Sequence, residues 1–173
     1  MDKLIKVNIF DEPQGTISKK KAHEKPVLHR AFSVFLYSNN KILIQQRAFG
    51  KYHSGGLWTN TCCSHPRTEN ILNDASKRLD QEISVKIPAN KLKELFTFTY
   101  LTKFNDKLYE YEFDHVIVGE YSGSYTINPE EVNALEWIDI ELLAKDIVNN
   151  PTKYSSWFLI CAPKVIDYIR KQN

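Results

Sequence analysis

Two strand-like segments, residues 92–103 and 109–120, flank the turn signal Asn105-Asp106. Strands this long must bury at least one face, so they demand a sheet with further partners. Residues 31–38 and 41–47 give a second hairpin signal around Asn39-Asn40, two residues that tolerate positive φ. A strand is expected over residues 57–63 after the Gly55-Gly56 breaker, and another near Glu136-Trp137-Ile138. Helical spacing fills the gaps. Over residues 70–81, Leu72, Ala75 and Leu79 stack on one face, while Asp74, Arg78 and Glu82 line the other. Asp139 can cap a helix that turns Leu143 and Ile147 inward and stops at Asn149-Asn150-Pro151. Trp157, Ile160, Cys161, Val165, Tyr168 and Ile169 keep helical spacing, and Pro163 is expected to kink that helix or mark its start. The expected class is α/β (α+β), a mixed β-sheet core flanked by helices.

A chain of 173 residues supports one core, so 1–173 is expected to be a single domain, with 1–18 a short N-terminal extension of it. Its 23 Lys+Arg against 21 Asp+Glu are interspersed, without the basic stripe that would answer a nucleic-acid backbone. No apolar run reaches the roughly 18 residues of a membrane span. The start, MDKLIKVNIFDE, lacks the apolar stretch of a signal peptide, so a cytoplasmic location is expected, with neither nucleic acid nor membrane as partner. The oligomeric state stays open and is compatible with a monomer. Of three cysteines, Cys62 and Cys63 are adjacent, which excludes a disulfide scaffold. They can be small buried residues, metal ligands or a reactive thiol.

Cys63 and His65 lie two apart on an extended segment and so share a face, with Cys62 on the other. Glu110, Glu112 and Asp114 alternate onto one face of their strand, and Tyr111, Phe113, His115 and Ile117 onto the opposite one. His115 therefore reads as structural, and a lone histidine such as His53 is more often a polar surface or core residue. Val116 and Val118 continue the carboxylate face as apolar positions, which implies that this face is partly buried. Buried carboxylates need partners or a cation, and with histidines they suit Mn²⁺ or Zn²⁺. Asp74, Arg78 and Glu82, four apart, form either a ladder of ion pairs or a site in which Glu82 holds Mg²⁺ and Arg78 neutralises a diphosphate. Arg47, Lys51 and the lysines near position 20 could add cations for the same anion.

The segment LWTNTCCSHP at 57–66, the helix ASKRLDQE, the strand YEYE and the late SSWF resemble type I isopentenyl-diphosphate isomerases, enzymes of the Nudix fold. The resemblance runs from about Lys19 to the end. It implies that Cys63 is the catalytic cysteine and Cys62 a variable position. It also implies a site for Mn²⁺ or Zn²⁺ made by His23, His29, His65, Glu110 and Glu112. Glu112 would in addition transfer protons beside Tyr100, and Trp157 would be the active-site tryptophan. Lys19, Arg47, Lys51 and Arg78 would bind a small-molecule diphosphate, the choice among lysines 19–21 being open, and Glu82 would bind Mg²⁺. The implied reaction interconverts isopentenyl and dimethylallyl diphosphate. A hydrolase of this fold carries R-E-U-x-E-E-x-G-U (U aliphatic); the matching segment here is K-R-L-D-Q-E-I-S-V. Only Glu82 remains of the carboxylates that gather metals around an attacking water, which favours isomerisation. Two alternatives stay open: a Nudix hydrolase of a diphosphate, and a non-catalytic domain whose metal staples the fold. Ser84 replaces the closing glycine and Ser156 the proline of an SPW pattern, departures that bear on local shape.

Overall fold

The computed structural model describes residues 3–172; Met1, Asp2 and Asn173, the ends of the expected 1–173 unit, lie outside the described residues. In chain order the elements are β1 (Lys3–Val7), β2 (Pro13–Ser18), α1 (Lys19–Glu24), β3 (His29–Ser38), β4 (Lys41–Arg47), β5 (Trp58–Thr59), β6 (Cys62–Ser64) and α2 (Ile71–Ile83). Then follow β7 (Leu92–Asn105), β8 (Leu108–Glu120), β9 (Val132–Asp139), α3 (Ile140–Asn149) and α4 (Ser156–Arg170). The architecture is a mixed sheet with four helices.

β3 organises the sheet. One edge pairs in parallel with β8 from His29↔Glu112 to Tyr37↔Glu120. The other is shared by three antiparallel partners in succession: β1 at His29, β6 at residues 32–34, and β4 at residues 36–38. β7 extends the sheet beyond β8, and β4 carries β5 and β9. Alternation along β3 sends Phe32, Val34 and Leu36 to a core beneath α2, with Ala75, Leu79 and Ile83, and Phe35 to a second core under α4, with Phe158, Cys161 and Val165. Both faces are thus covered, which explains why β3 is buried along nearly its whole length.

The β3–β4 hairpin forms as its sequence predicts, with Asn39 taking φ 49° in the turn. Asp139 caps α3 by accepting from the backbone N–H groups of Glu141 and Leu142. Several expectations are corrected. The single strand over 57–63 is two short ones, β5 and β6, on different neighbours. α4 begins at Ser156, so Pro163 lies inside it rather than at its start, and Ile160 points outward at 48% exposure. Of the ladder on α2 the Arg78–Glu82 pair is present, while Asp74 and Glu82 are buried and Asp74 accepts from the Arg67 and Thr68 N–H groups, so tying down the loop before α2. Residues 3–18, read without elements, form the β1–β2 hairpin, and α1 follows at once. Ser84, where glycine was expected, takes the left-handed conformation itself (φ 56°) and closes α2 by donating to Asp80 O; a non-glycine residue there costs about 1 kcal/mol.

Candidate active site

Strand register builds the centre of the site. His29 on β3 stands opposite Glu112 on β8, and Glu112 opposite Tyr100 on β7, so three polar side chains line up across three strands. The Tyr100 hydroxyl donates to Glu112 Oε2 at 2.6 Å, while Glu112 Oε1 lies 2.8 Å from His65 Nε2 and 3.5 Å from His29 Nε2. Glu110, Glu112 and Asp114 are 4%, 6% and 1% exposed, so the carboxylate face is buried as their alternation with Val116 and Val118 implies.

His23, on α1, and His29 are wholly buried and donate Nδ1–H to the carbonyls of Lys19 and Val27, at 2.7 and 2.8 Å. A carbonyl can only accept, so in the neutral rings the Nε2 lone pairs face the cluster. Both Nε2 atoms, and Glu110 Oε2, are buried without a hydrogen-bond partner. Donor atoms of His23, His29 and His65 lie within 4.8 Å of one another, as do those of His23, His53 and Glu110. Converging, orphaned donors beside two buried carboxylates fit a divalent cation. The electrostatics agree. Burial holds His23 down to about 4 and His65 likewise to about 4, leaving both neutral. Burial also works to raise Glu112, but hydrogen bonds from His29 and His65 outweigh it and the carboxyl sits well below its ordinary range. Burial opposes protonation of His29, and contact with Glu112 prevails, raising its pKa; positive charge is favoured at this spot.

These shifts give a pH prediction for the metal-free protein. Unfolded, His23 and His65 take protons below about 6.5; folded, they do not until about 4. Stability therefore falls as pH drops through that window, on the order of 2 kcal/mol per pH unit. His29, shifted upward, acts in the other window, and its contribution fades as pH rises above 6.5. Urea denaturation of chelator-treated protein at several pH values between 4 and 8 should show a maximum near neutrality; a flat profile contradicts the buried-histidine account.

The opposite part of the site comes from the 57–66 segment. Asn60, fully buried, donates to the carbonyls of Cys62 and Val34 and accepts from Trp157 Nε1 at 3.1 Å. Thr61 bridges two strands, its Oγ1 accepting from Leu36 N and donating to Leu43 O. This clamp sends Cys62 into the α2 core and leaves Cys63 half-buried on the cavity wall, as their alternation predicts. Burial pushes the Cys63 thiol up to about 12 against the pull of Arg47, whose Nη1 lies 3.4 Å from Sγ, so Cys63 holds its proton at neutral pH. The Arg47 guanidinium lies 5.3 Å from the centroid of the Trp157 ring, which is 2% exposed.

These groups line one cavity of about 260 Å³, whose wall includes Cys63, His65, Tyr100, Glu110, Glu112 and Trp157. Lys19, Arg47, Lys51 and Arg78 reach it too; of the lysine run, Lys19 does so, while Lys20 is exposed and faces Glu24 at 3.7 Å. Lys51 is paired with Glu131, and Arg78 with Glu82 and, at 3.5 Å, with Glu131. Glu82 sits behind Arg78, and Glu131 rather than Glu82 forms part of the wall. Several wall residues escape a reading by sequence pattern, Glu131, His53 and Ser33 among them. His53 approaches Glu110 to 3.0 Å from the β4–β5 loop. Ser33, on β3, donates to Asp114 at 2.7 Å. His115 is held elsewhere by Glu94 and Asp11, as a structural residue.

Among known proteins, a family model for the NUDIX domain matches residues 27–158. Isopentenyl-diphosphate Delta-isomerase 2 of Aromatoleum aromaticum is 43% identical over 95% of this chain and 87% of its own length. Isopentenyl-diphosphate Delta-isomerase of Serratia proteamaculans is 43% identical over 90% and 87%. In solved structures the fold is matched at TM-score 0.76 by a Deinococcus radiodurans protein, 19% identical, covering 94% of this chain and 98% of that one. It is also matched at 0.59 by the Nudix domain of Shewanella oneidensis NrtR, 15% identical, over 88% and 91%. Sheet, helices and sequence relatives agree: the chain belongs to the isopentenyl-diphosphate Delta-isomerases, a Nudix-domain family.

Proposed function

We propose that this chain interconverts isopentenyl and dimethylallyl diphosphate by moving protons, with Cys63 and Glu112 as the acid-base pair. The observation that carries the reading is that a protonated thiol, an ionised carboxylate bonded to Tyr100 and a buried indole share one small cavity rimmed by four cations. Transposing the double bond needs one proton added at the terminal methylene carbon and one removed from C2. One member of the pair supplies the first and the other accepts the second; in the reverse direction the roles exchange. Tyr100 orients the Glu112 carboxyl. Protonation leaves a tertiary cation, which the face of Trp157 stabilises by roughly 2 kcal/mol or more in a site closed to water. Asn60 fixes the indole, and Lys19, Arg47, Lys51 and Arg78 bind the diphosphate.

His23, His29, His65, Glu110 and Glu112 would hold Mn²⁺ or Zn²⁺. That charge, when bound, would tune the proton affinity of Glu112. Glu82, once Arg78 turns to the diphosphate, would carry the Mg²⁺ that accompanies the substrate. We read residues 1–173 as one domain, since β1 pairs with β3 beside His29 and leads through β2 into α1. We read the protein as a cytoplasmic enzyme, compatible with a monomer, that acts without nucleic-acid or membrane partners; among the described residues no helix is long and apolar enough to cross a membrane. The test is NMR of purified protein with isopentenyl diphosphate and Mg²⁺. Acid-labile allylic diphosphate is expected; release of phosphate in its place would transfer the site to hydrolysis.

A further inference from the structure

The loop between β4 and β5 brings a fourth imidazole to the cluster. His53 Nε2 lies 3.0 Å from Glu110 Oε1, and the side chain is 7% exposed. Its ring stacks on Phe104, centroids 4.5 Å apart, and meets Trp157 edge-on at 6.0 Å, so it is held in place with Nε2 turned toward Glu110 and His23. The His53–Glu110 contact accounts for one oxygen of Glu110 and leaves the other, together with His23 Nε2, buried and unpartnered. An ion between them would satisfy all of these atoms.

Building on the metal site of the proposed function, we infer that His53 is a sixth ligand, so that four imidazoles and two carboxylates close an all-protein coordination shell. The donors fall into two triads. One is His29, His65 and Glu112, where Glu112 Oε1 lies 3.5 and 2.8 Å from the two imidazole nitrogens. The other is His23, His53 and Glu110, with His23 also within 4.8 Å of His29 and His65. An octahedron is two such triangular faces set against each other. At metal–ligand distances of about 2.1 Å, adjacent donors stand about 3 Å apart and opposite ones about 4.2 Å. Within the triads the contacts of 2.8, 3.0 and 3.5 Å approach the spacing of adjacent donors, and His23 bridges the two triads within 4.8 Å, so a bound ion would draw them together. Six donors suit an octahedral ion such as Mn²⁺ better than Zn²⁺, which prefers four.

A closed shell leaves no position for substrate on this ion. It also links the ion to substrate binding, because Arg47 Nη2 donates to the His53 carbonyl at 3.2 Å and Lys51 lies two residues before it. The test is X-ray absorption of the full chain loaded with Co²⁺, with metal content measured alongside. One ion per chain with four imidazoles is expected in the wild type. His53→Asn should show three, with at least about tenfold weaker Co²⁺ binding in competition with a chelator. If that variant does not fold, the wild-type count decides alone. Three imidazoles in the wild type would overturn the assignment of His53 and leave the five-residue site standing, and two ions per chain would overturn the single closed shell. Failure to bind any ion would overturn both.

Discussion

Cys63→Ala is expected to leave secondary structure and metal content unchanged and to lower isomerase turnover by at least about 10³-fold, the range for loss of an acid-base group. The side chain stands on a cavity wall, not in a core, and its polar neighbour, Arg47, keeps other contacts at Trp157 and His53. Removing the sulfur therefore leaves little behind that needs repacking. Cys62→Ala is the matched control. Cys62 is fully buried against α2, so truncation there should lower stability by about 1 kcal/mol, through a small void, and change turnover by no more than a few-fold. Circular dichroism, metal analysis and the NMR assay on both variants make the comparison. Equal loss in the two would remove Cys63 from the chemistry.

Glu112→Gln is expected to abolish turnover, again by at least about 10³-fold, and also to weaken binding of the divalent ion. The two losses have one origin. Glu112 bonds to Tyr100 through one oxygen and faces His29 and His65 through the other. The amide has nearly the same shape but carries no charge, so it neither takes up a proton nor balances a cation. It would also place an N–H against either the Tyr100 hydroxyl or the two imidazoles, and the buried row would have to rearrange its hydrogen bonds. The combined readout, metal affinity by competition and turnover at saturating metal, separates the roles. Restored turnover at high metal would make Glu112 a ligand alone, and normal affinity with no turnover would make it an acid-base group alone.

The parts of this molecule written in local pattern were legible before any coordinates. The Asn39-Asn40 hairpin, the capped α3 and the alternating carboxylates of β8 depend on neighbours within a few residues, and the structure contains them all. The burial of Asp74 and Glu82 was not legible, because helical spacing says which residues share a face and not what covers it; here the backbone of Arg67 and Thr68 meets Asp74, and Gln45 on β4 meets Glu82. His53 escaped for a related reason. It belongs to no periodic element, and only the closure of a loop 57 residues away in sequence from Glu110 brings the two within 3.0 Å. α1 was missed because six residues carry too little periodicity to register, although its N-cap, Ser18, accepts from Lys21 N as such caps do.

The way β3 changes partners has a consequence for how this chain can vary. β6 takes over the edge of β3 for only three residues, with Ser33↔Cys63 and Val34↔Cys62 opposite each other, and Asn60 and Thr61 lock that pairing through side chains. Inserting or deleting a single residue between Thr59 and Cys62 would turn every side chain after it to the other face, burying one thiol and presenting its neighbour to the cavity. Exchange of one residue for another is therefore the tolerable kind of change in this stretch, whereas a change in the number of residues would misplace thiol and imidazole together. The fold thus sets the length from Thr59 to His65, and not only the residues within it.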